Sequence, residues 1–353
     1  MQVSEAMKKS TPSPGFLCFG IVDNCMLRCK MCYKWKEDIL VENHTKAPTM
    51  TDWKRAVDAL KEMTDPGFLI NFGGGEALIK KDLLELVKYC HDRGFRTNIA
   101  TNAFLIDEDM AKRIADSGLD SVNISLDSLD EKIHDYLRGV PGIYKRVMNA
   151  IEYLDRYCKN FEIEICCVIY NINRDGIIDL ARWADSDSRI NWIVFMVPMQ
   201  PNNSPNYLGH NWWENKEYDF LWPKDHEKAC AIINELLELK GQGYKISNQV
   251  CQLEAFKNYL RYPGSFVKKS PCNLDKALHV SAVGDIFICY GWESIGNIKT
   301  HDLNERWYSK EADNIRDKVV SCSRNCHFLL NCYFEGDYPF EVERKNHILD
   351  VKK

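Results

Sequence analysis

Three cysteines in the stretch Asp23-Asn24-Cys25-Met26-Leu27-Arg28-Cys29-Lys30-Met31-Cys32-Tyr33 have the spacing Cys-x3-Cys-x2-Cys. Cys25, Cys29 and Cys32 lie too close together for a structural zinc site with four protein ligands, unless a fourth residue arrives from elsewhere. Three thiolates in one loop suit a [4Fe-4S] cluster in which one iron lacks a protein ligand. An iron with an open position can bind and activate a small molecule, which is a catalytic arrangement and not a structural one. The bland alternative is a group of reduced thiols with no shared ligand, since free cysteine also serves as a small apolar residue.

A second set lies toward the other end of the chain. Cys272, Gly284 and Cys289 follow Cys-x11-Gly-x4-Cys, and Cys322, Cys326 and Cys332 follow Cys-x3-Cys-x5-Cys. The run His279 to Cys289 reads as two strands around a tight Gly284-Asp285 turn, which would bring Cys272 and Cys289 together. Two thiols from a hairpin and two from a later segment can hold a cubane or a zinc ion, and spacing does not choose between them. Fifteen cysteines among 353 residues, clustered at both ends, point to metal binding in a reducing compartment and away from disulfides.

The elements that must position these residues alternate between apolar runs and helix-period segments, which predicts parallel strands joined by crossover helices. Strands are expected at Phe16 to Val22, Phe68 to Phe72, Arg96 to Ala100, Ser121 to Leu126, Phe161 to Ile169 and Trp192 to Val197. Helices are expected at Thr51 to Met63, capped by Thr51 and Asp52, at Lys81 to Arg93 and at Asp107 to Ser117. The last two stop at Gly94 and Gly118. Six such units make a partial barrel, with ligands beyond the carboxyl ends of the strands. Pro201 to Pro205 reads as a loop, followed by the aromatic run Tyr207 to Trp222 and a helix from about Lys224 to Lys240. Pro271 to Asp337 reads as a separate cysteine-rich unit.

Chemistry-bearing residues fall at the strand ends. The second strand leads into Asn71-Phe72-Gly73-Gly74-Gly75-Glu76, where glycines allow close backbone approach to a ligand and a carboxylate can accept from an ammonium group. The third ends in Ala100-Thr101-Asn102. Alternation in the fourth places Asn123, Ser125 and Asp127 on one face. In the fifth, Glu162, Glu164 and Cys166 share a face opposite Ile163, Ile165 and Cys167, so Glu164 and Cys166 should point into the cavity. There a thiol could donate a hydrogen atom and a carboxylate take a proton. The plainer readings are that Asp127 and Ser128 cap the next helix, that Arg138 lies on its surface, and that Cys166 is a small filler.

The cysteine triad, the Gly-Gly-Glu turn and the segment His134-Asp135-Tyr136-Leu137-Arg138-Gly139 resemble the radical S-adenosylmethionine (SAM) superfamily. Met31 stands where that family has an aromatic residue, and Ala77 where it commonly has proline. The resemblance implies that Cys25, Cys29 and Cys32 hold a cluster whose open iron chelates SAM. It also implies that Gly74, Gly75, Glu76, Thr101, Asn102, Asn123, Ser125, Asp127, Arg138 and Val197 bind SAM: Glu76 at the amino group, the strand-four residues at the ribose and Arg138 at the carboxylate. Residues 272–332 resemble the SPASM/twitch extension, which implies one auxiliary [4Fe-4S] cluster on four of Cys272, Cys289, Cys322, Cys326 and Cys332.

The expected fold is therefore α/β: a tail at 1–15, a partial (β/α)6 TIM-like barrel at 16–200, and an aromatic-rich loop and helical linker at 201–262. A small α+β twitch/SPASM-like domain at 263–337 and a tail at 338–353 complete it. By resemblance, the protein is a radical SAM oxidoreductase or maturase. It would act on a peptide or another natural-product precursor, and would draw electrons from a donor such as flavodoxin or ferredoxin. The alternative is a dehydrogenase or epimerase of a carbohydrate or aminoglycoside-type substrate. Trp212, Trp213, Tyr218 and Trp222 could stack on a substrate or pack the linker. A non-catalytic iron-sulfur or zinc protein is the rival class, but it has no use for the Gly-Gly-Glu and strand-end residues. A net charge of -5 gives no electrostatic case for nucleic acid or an anionic membrane. Met1 to Pro14 is polar and lacks an apolar signal region, so a cytoplasmic location is expected.

Overall fold

A computed structural model describes residues 11–32, 47–198, 214, 216, 220–261, 266–268, 272–322 and 342–344. Tyr33, Trp212, Trp213, Tyr218, Cys326 and Cys332 lie outside the described residues. Six parallel strands form a partial barrel: β1 (Phe16–Val22), β2 (Leu69–Gly74), β3 (Arg96–Thr101), β4 (Ser121–Ser125), β5 (Glu162–Val168) and β6 (Trp192–Met196). Five of their crossovers carry helices α1 (Met50–Lys61), α2 (Leu83–His91), α3 (Glu108–Ser117), the pair α4 (Glu131–Arg138) and α5 (Ile143–Tyr157), and α6 (Ile177–Ser186). Each strand begins or ends within about two residues of its expectation, because period-two patterning and the flanking glycines mark it directly.

The helices pack on the outer face of the sheet. Trp53, Val57 and Leu60, at helical spacing on α1, are fully buried, and the Trp53 ring meets Phe19 of β1 at 5.1 Å between centroids. Burying a side chain of this size contributes about 1.5–3 kcal/mol. The expected cap at Thr51 and Asp52 is corrected: the N-cap lies two residues before Thr51, with Asp52 at the third helical position. Thr49 is the N-cap, its hydroxyl accepting from Asp52 N–H while the Asp52 carboxylate accepts from Thr49 N–H, a reciprocal capping box. Asp107 caps α3, and Gly118 ends it at φ 74°. Asp130, not Asp127 or Ser128, caps α4, accepting from Lys132 and Ile133 N–H.

Two features depart from the expected organisation. After α7 (His226–Gly241), the chain returns to the edge of the barrel: Ile193 and Ile246 form a parallel bridge. There the Asn248 side-chain amide donates to Phe195 C=O and accepts from Phe195 N–H. The segment read as linker thus seals the open edge of β6 before entering α8 (Val250–Arg261). Trp222 packs edge-on against Tyr259 of α8 at 5.1 Å, which is the packing role and not the stacking one.

The second departure concerns the cysteine-rich region. β8 (Ala277–Val280) pairs parallel with Phe16–Phe19 of β1, and β9 (Asp285–Phe287) and β10 (Gly296–Asn297) follow antiparallel. The result is one nine-stranded sheet in the order β10-β9-β8-β1-β2-β3-β4-β5-β6. The region expected to be separate therefore extends the barrel sheet. β7 (Phe266–Lys268) pairs instead with β11 (Val342–Arg344). Helices α9 (Leu303–Trp307) and α10 (Lys310–Val320) complete the described chain, α10 packing on the turn Asn273–Lys276. No helix of the described residues is long and apolar enough to cross a membrane.

Candidate active site

Where β1 ends, its register with β2 shifts between Gly20 and Val22, and the chain turns into the loop that carries Cys25, Cys29 and Cys32. Two backbone segments clamp this loop. On one side Gly75 N–H donates to Val22 C=O at 2.7 Å and Glu76 N–H to Asn24 C=O at 2.8 Å. On the other, Arg28 N–H donates to Arg138 C=O and Lys30 N–H to Leu137 C=O. A Cβ on Gly74 would lie 2.1 Å from Val22 O, one on Gly75 2.2 Å from Asn24 O, and one on Gly139 2.1 Å from Arg28 O. Gly74 and Gly139 also have φ of +125° and +72°. The glycine run, read as allowing close backbone approach to a ligand, also packs tightly on the cysteine loop itself.

Glu76 likewise has protein partners. It is fully buried, and its carboxylate accepts from Thr101 Oγ1 at 2.8 Å, Asn102 N–H at 2.8 Å and Leu78 N–H at 3.2 Å. Burial pushes its pKa up against these bonds. It ties the end of β2 to the end of β3 and presents no surface to an amino group. Thr101 is committed to Glu76, while the Asn102 side-chain amide reaches Cys25 Sγ at 3.5 Å and Met26 Sδ at 3.7 Å. Leu27 N–H also points at Cys25 Sγ, at 3.4 Å.

Asp127 and Arg138 form a buried pair. Asp127 is fully buried; one oxygen accepts from Val168 N–H at 3.1 Å and the other stands 2.9 Å from Arg138 Nε as an ion pair without an aligned hydrogen bond. Burial opposes the charge of Arg138, but Asp127 and then Cys29 outweigh it and hold the guanidinium charged. Asp127 is thus held by protein partners, and Arg138 sits between a buried carboxylate and the cysteine loop. Val197 is fully buried in the main core.

Apart from Trp192, the lumen face is small and polar. Strand register aligns Gly20 with Gly73, and Ala100, Asn123, Glu164 and Trp192 in one row, with Ser125 beside Cys166 above. Ala100 and Gly74 are exposed, so the lumen is open beside the cysteine loop. Glu164 accepts from Ser247 Oγ at 2.8 Å, and burial pushes its pKa up against hydrogen bonds from Ser247 and Asn123. Burial and then the neighbouring Glu164 hold the Cys166 thiol well above its usual range, so it stays protonated. Glu164 and Cys166 share the lumen face as alternation predicts.

Sequence reading missed a polar floor below this row: Asn98 Nδ2 donates to Asn71 Oδ1 and Ser121 Oγ to Asn98 Oδ1. Period-two alternation in β2 and β3 carried that signal. Ser247 and Asn248 carried none, since they reach the site through a bridge between distant segments.

The donor set suits an iron-sulfur cluster. Three thiols occupy one loop, hydrogen-bond donors aim at a sulfur, and an apolar shell of Leu27, Met31, Phe104 and Ile143 surrounds them. Burial pushes the Cys25 thiol up and the Cys29 thiol to about 12; Glu76 and Cys32 add to the first, Cys32 and Cys25 to the second. Among the described residues no three His, Cys, Asp or Glu side chains already converge as a metal site. All described cysteines are free thiols. In the second set, Cys272 precedes the turn into β8 and Cys289 follows β9, at the same end of the hairpin. Ser281–Gly284 forms its turn, and Cys322 follows α10.

Residues 20–184 match the sequence profile of the Radical SAM superfamily. The chain is 24% identical over 237 residues to an AdoMet-dependent heme synthase of Oleidesulfovibrio alaskensis, covering 66% of this chain and 58% of that protein. It is 31% identical over 134 residues to a PqqA peptide cyclase of Bradyrhizobium diazoefficiens, covering 38% and 34%. It spans about half the length of the curated relatives it matches. The fold is similar to that of SuiB from Streptococcus suis, solved with S-adenosylmethionine and with its precursor peptide SuiA. The TM-scores are 0.64 and 0.65 at 20% and 19% identity, covering 91% and 93% of this chain and 72% of SuiB.

Proposed function

We propose, for a chain that is a radical SAM superfamily member over residues 20–184, that it abstracts hydrogen from an unactivated C–H bond of a peptide precursor. Cys25, Cys29 and Cys32 would hold a [4Fe-4S] cluster, with S-adenosylmethionine beside it in the lumen. When bound, this pair supplies reductive cleavage of S-adenosylmethionine to a 5'-deoxyadenosyl radical. The observation that carries the reading is the double clamp on the cysteine loop, which leaves no room for a Cβ at Gly74, Gly75 or Gly139. Such a clamp fixes the thiols at the carboxyl ends of the strands, facing an open polar lumen.

The chain's own residues then have distinct tasks. Asn102 and Leu27 N–H orient Cys25, and Glu76 and Thr101 hold Asn102 in place. Gly20, Gly73 and Ala100 leave space for a ligand, and Asn123 and Ser125 offer it polar contacts. Cys166, kept as a neutral thiol, can return a hydrogen atom to a substrate radical, and Glu164, positioned by Ser247, can accept a proton. Cys166→Ala should abolish product formation while S-adenosylmethionine cleavage continues. Unchanged product formation would rule out the donor role.

The PqqA peptide cyclase and the SuiB–SuiA complex support a peptide as substrate. The heme synthase, aligned over 66% of this chain, supports a tetrapyrrole as a second reading. Cys272, Cys289 and two of Cys322, Cys326 and Cys332 would hold an auxiliary cluster, in keeping with the free thiols of Cys272, Cys289 and Cys322 and with a reducing, cytoplasmic setting. After anaerobic reconstitution we expect about eight irons per chain. About four irons with one zinc would refute the second cluster. Incubation with dithionite and S-adenosylmethionine should yield 5'-deoxyadenosine, and its absence would overturn the enzyme reading. Mass changes in candidate peptides against candidate tetrapyrroles then decide the substrate class.

A further inference from the structure

Glu164 is a half-buried lumen carboxylate to which the fold brings no cation. Its partners are Ser247 Oγ, which donates at 2.8 Å, and the Asn123 side chain. Among the described residues no lysine, arginine or histidine pairs with it. The other carboxylates on this side are matched: Glu162, two residues earlier on the same face, has Arg96 at 3.2 Å, and Asp127 has Arg138. Glu162 adds its own negative charge to the surroundings of Glu164. A carboxylate withdrawn from water without a counter-charge is costly, unless a ligand supplies the positive charge.

Trp192 stands beside it, since β5 and β6 pair Glu164 with Trp192 and neighbouring strands run about 4.8 Å apart. Ile193 and Phe195 are fully buried in the core under the helices, so alternation turns Trp192 the other way, into the lumen. Its indole is 48% exposed, although its strand is pinned from behind. Ile193 N–H donates to Lys245 C=O, and Ser247 N–H donates to Ile193 C=O. Ser247 therefore fixes both the strand of Trp192 and the carboxylate of Glu164. Along the same row, Ala100, Gly73 and Gly20 carry nothing larger than a methyl group. A carboxylate next to an exposed indole, with small residues across the lumen, suits a positive charge. The carboxylate supplies the counter-charge, and the aromatic ring adds a second attraction.

We propose that Glu164 and Trp192 bind a cationic side chain, lysine or arginine, of the peptide substrate and so select which peptides the lumen accepts. The inference rests on the reading that the lumen holds a peptide beside S-adenosylmethionine. S-adenosylmethionine carries an ammonium group of its own, but its place is by the cysteine loop, at the carboxyl ends of the strands. Glu164 lies four residues before Val168, the last of β5, which is about 13 Å along the strand. The peptide is therefore the nearer source of charge. A bound cation keeps Glu164 ionised, the form that can accept a proton, whereas an anionic group would meet like charge from Glu162 and Glu164.

The probes are labelled peptides acetyl-Gly-Ala-X-Ala-Gly-amide, with X lysine, arginine, norleucine or glutamate; norleucine keeps the aliphatic chain without the charge. Binding to the anaerobically reconstituted chain, with S-adenosylmethionine present, is read by thermophoresis. The unaltered chain should bind the lysine or the arginine peptide about tenfold more tightly than the norleucine peptide, and the glutamate peptide more weakly still. Glu164→Gln should remove that preference. Trp192→Leu, at an exposed position, should weaken the cationic peptide about threefold, and Trp192→Phe should keep most of its affinity. Equal binding of cationic and norleucine peptides by the unaltered chain would overturn the proposal. So would a preference that survives Glu164→Gln. A loss of S-adenosylmethionine affinity in that variant as large as the loss for the peptide would also overturn it, since the carboxylate would then serve S-adenosylmethionine. If Glu164→Gln does not fold, the Trp192 variants decide. If dithionite yields no 5'-deoxyadenosine from the unaltered chain, the function proposed above fails, and the peptide comparison still decides the cation site.

Discussion

Glu76 shows how residue type and residue role can come apart. A carboxylate after a glycine turn invites a ligand's ammonium group, yet three protein donors from Thr101, Asn102 and Leu78 already hold it in a fully buried position. Glu76→Gln keeps the volume but turns an amide NH2 toward one of those donors. We expect a loss of about 1–3 kcal/mol in unfolding free energy by urea titration, with S-adenosylmethionine affinity little changed in the folded fraction. Weaker binding at full stability would restore the ligand role. Asp127 and Arg138 teach the same lesson, because two opposite charges near an apolar core satisfy each other before they satisfy a solute. Alternation did predict which faces Glu164 and Cys166 occupy, since side-chain direction in a strand is a local property.

At the scale of elements, the C-terminal end of α4 is a positioning device. Gly139 ends the helix in the left-handed region and brings Leu137 and Arg138 carbonyls against Lys30 and Arg28 N–H. Gly139→Ala would combine a strained φ, costing about 1 kcal/mol, with a Cβ 2.1 Å from Arg28 O. The helix can keep its fold while the cysteine loop is pushed away. Iron bound per chain after reconstitution should therefore fall severalfold while far-ultraviolet circular dichroism is preserved. Unchanged iron loading would show that the clamp is dispensable. The helices and strands themselves were legible because capping residues, terminal glycines and hydrophobic period are written locally. The bridge from Ile246 to Ile193 was not, since neither segment signals the other.

For the molecule as a whole, the nine-stranded sheet joins both cysteine regions to one strand, because β1 pairs with β2 on one edge and β8 on the other. His279 of β8 is buried against Phe16 of β1 and Tyr290, with ring centroids 5.6 and 4.8 Å away. Burial pushes His279 down to about 4, and burial, then Arg138, pushes His134 down to about 3. Both are neutral in the fold, so below about pH 6.5 the unfolded chain binds protons that the folded chain refuses. Stability should fall as pH drops from about 6.5 toward 4, by up to about 1.4 kcal/mol per unit for each group. Urea midpoints at pH 7 and pH 5 read this directly. His279→Phe, which keeps the ring contacts without titrating, should reduce the difference, and an equal pH dependence in that variant would exclude His279 as a source.

The sequence by itself determined the repeating strand–helix order, the faces of β4 and β5, and the thiols that could share a cluster, because spacing and period act over a few residues. Only the tertiary structure decided that the glycines serve the cysteine loop, that Glu76 and Asp127 are already partnered, and that β8 continues the barrel sheet. Those outcomes depend on which carbonyl, donor or strand edge arrives from a distant segment. A buried polar group binds whatever partner the fold brings within hydrogen-bond reach.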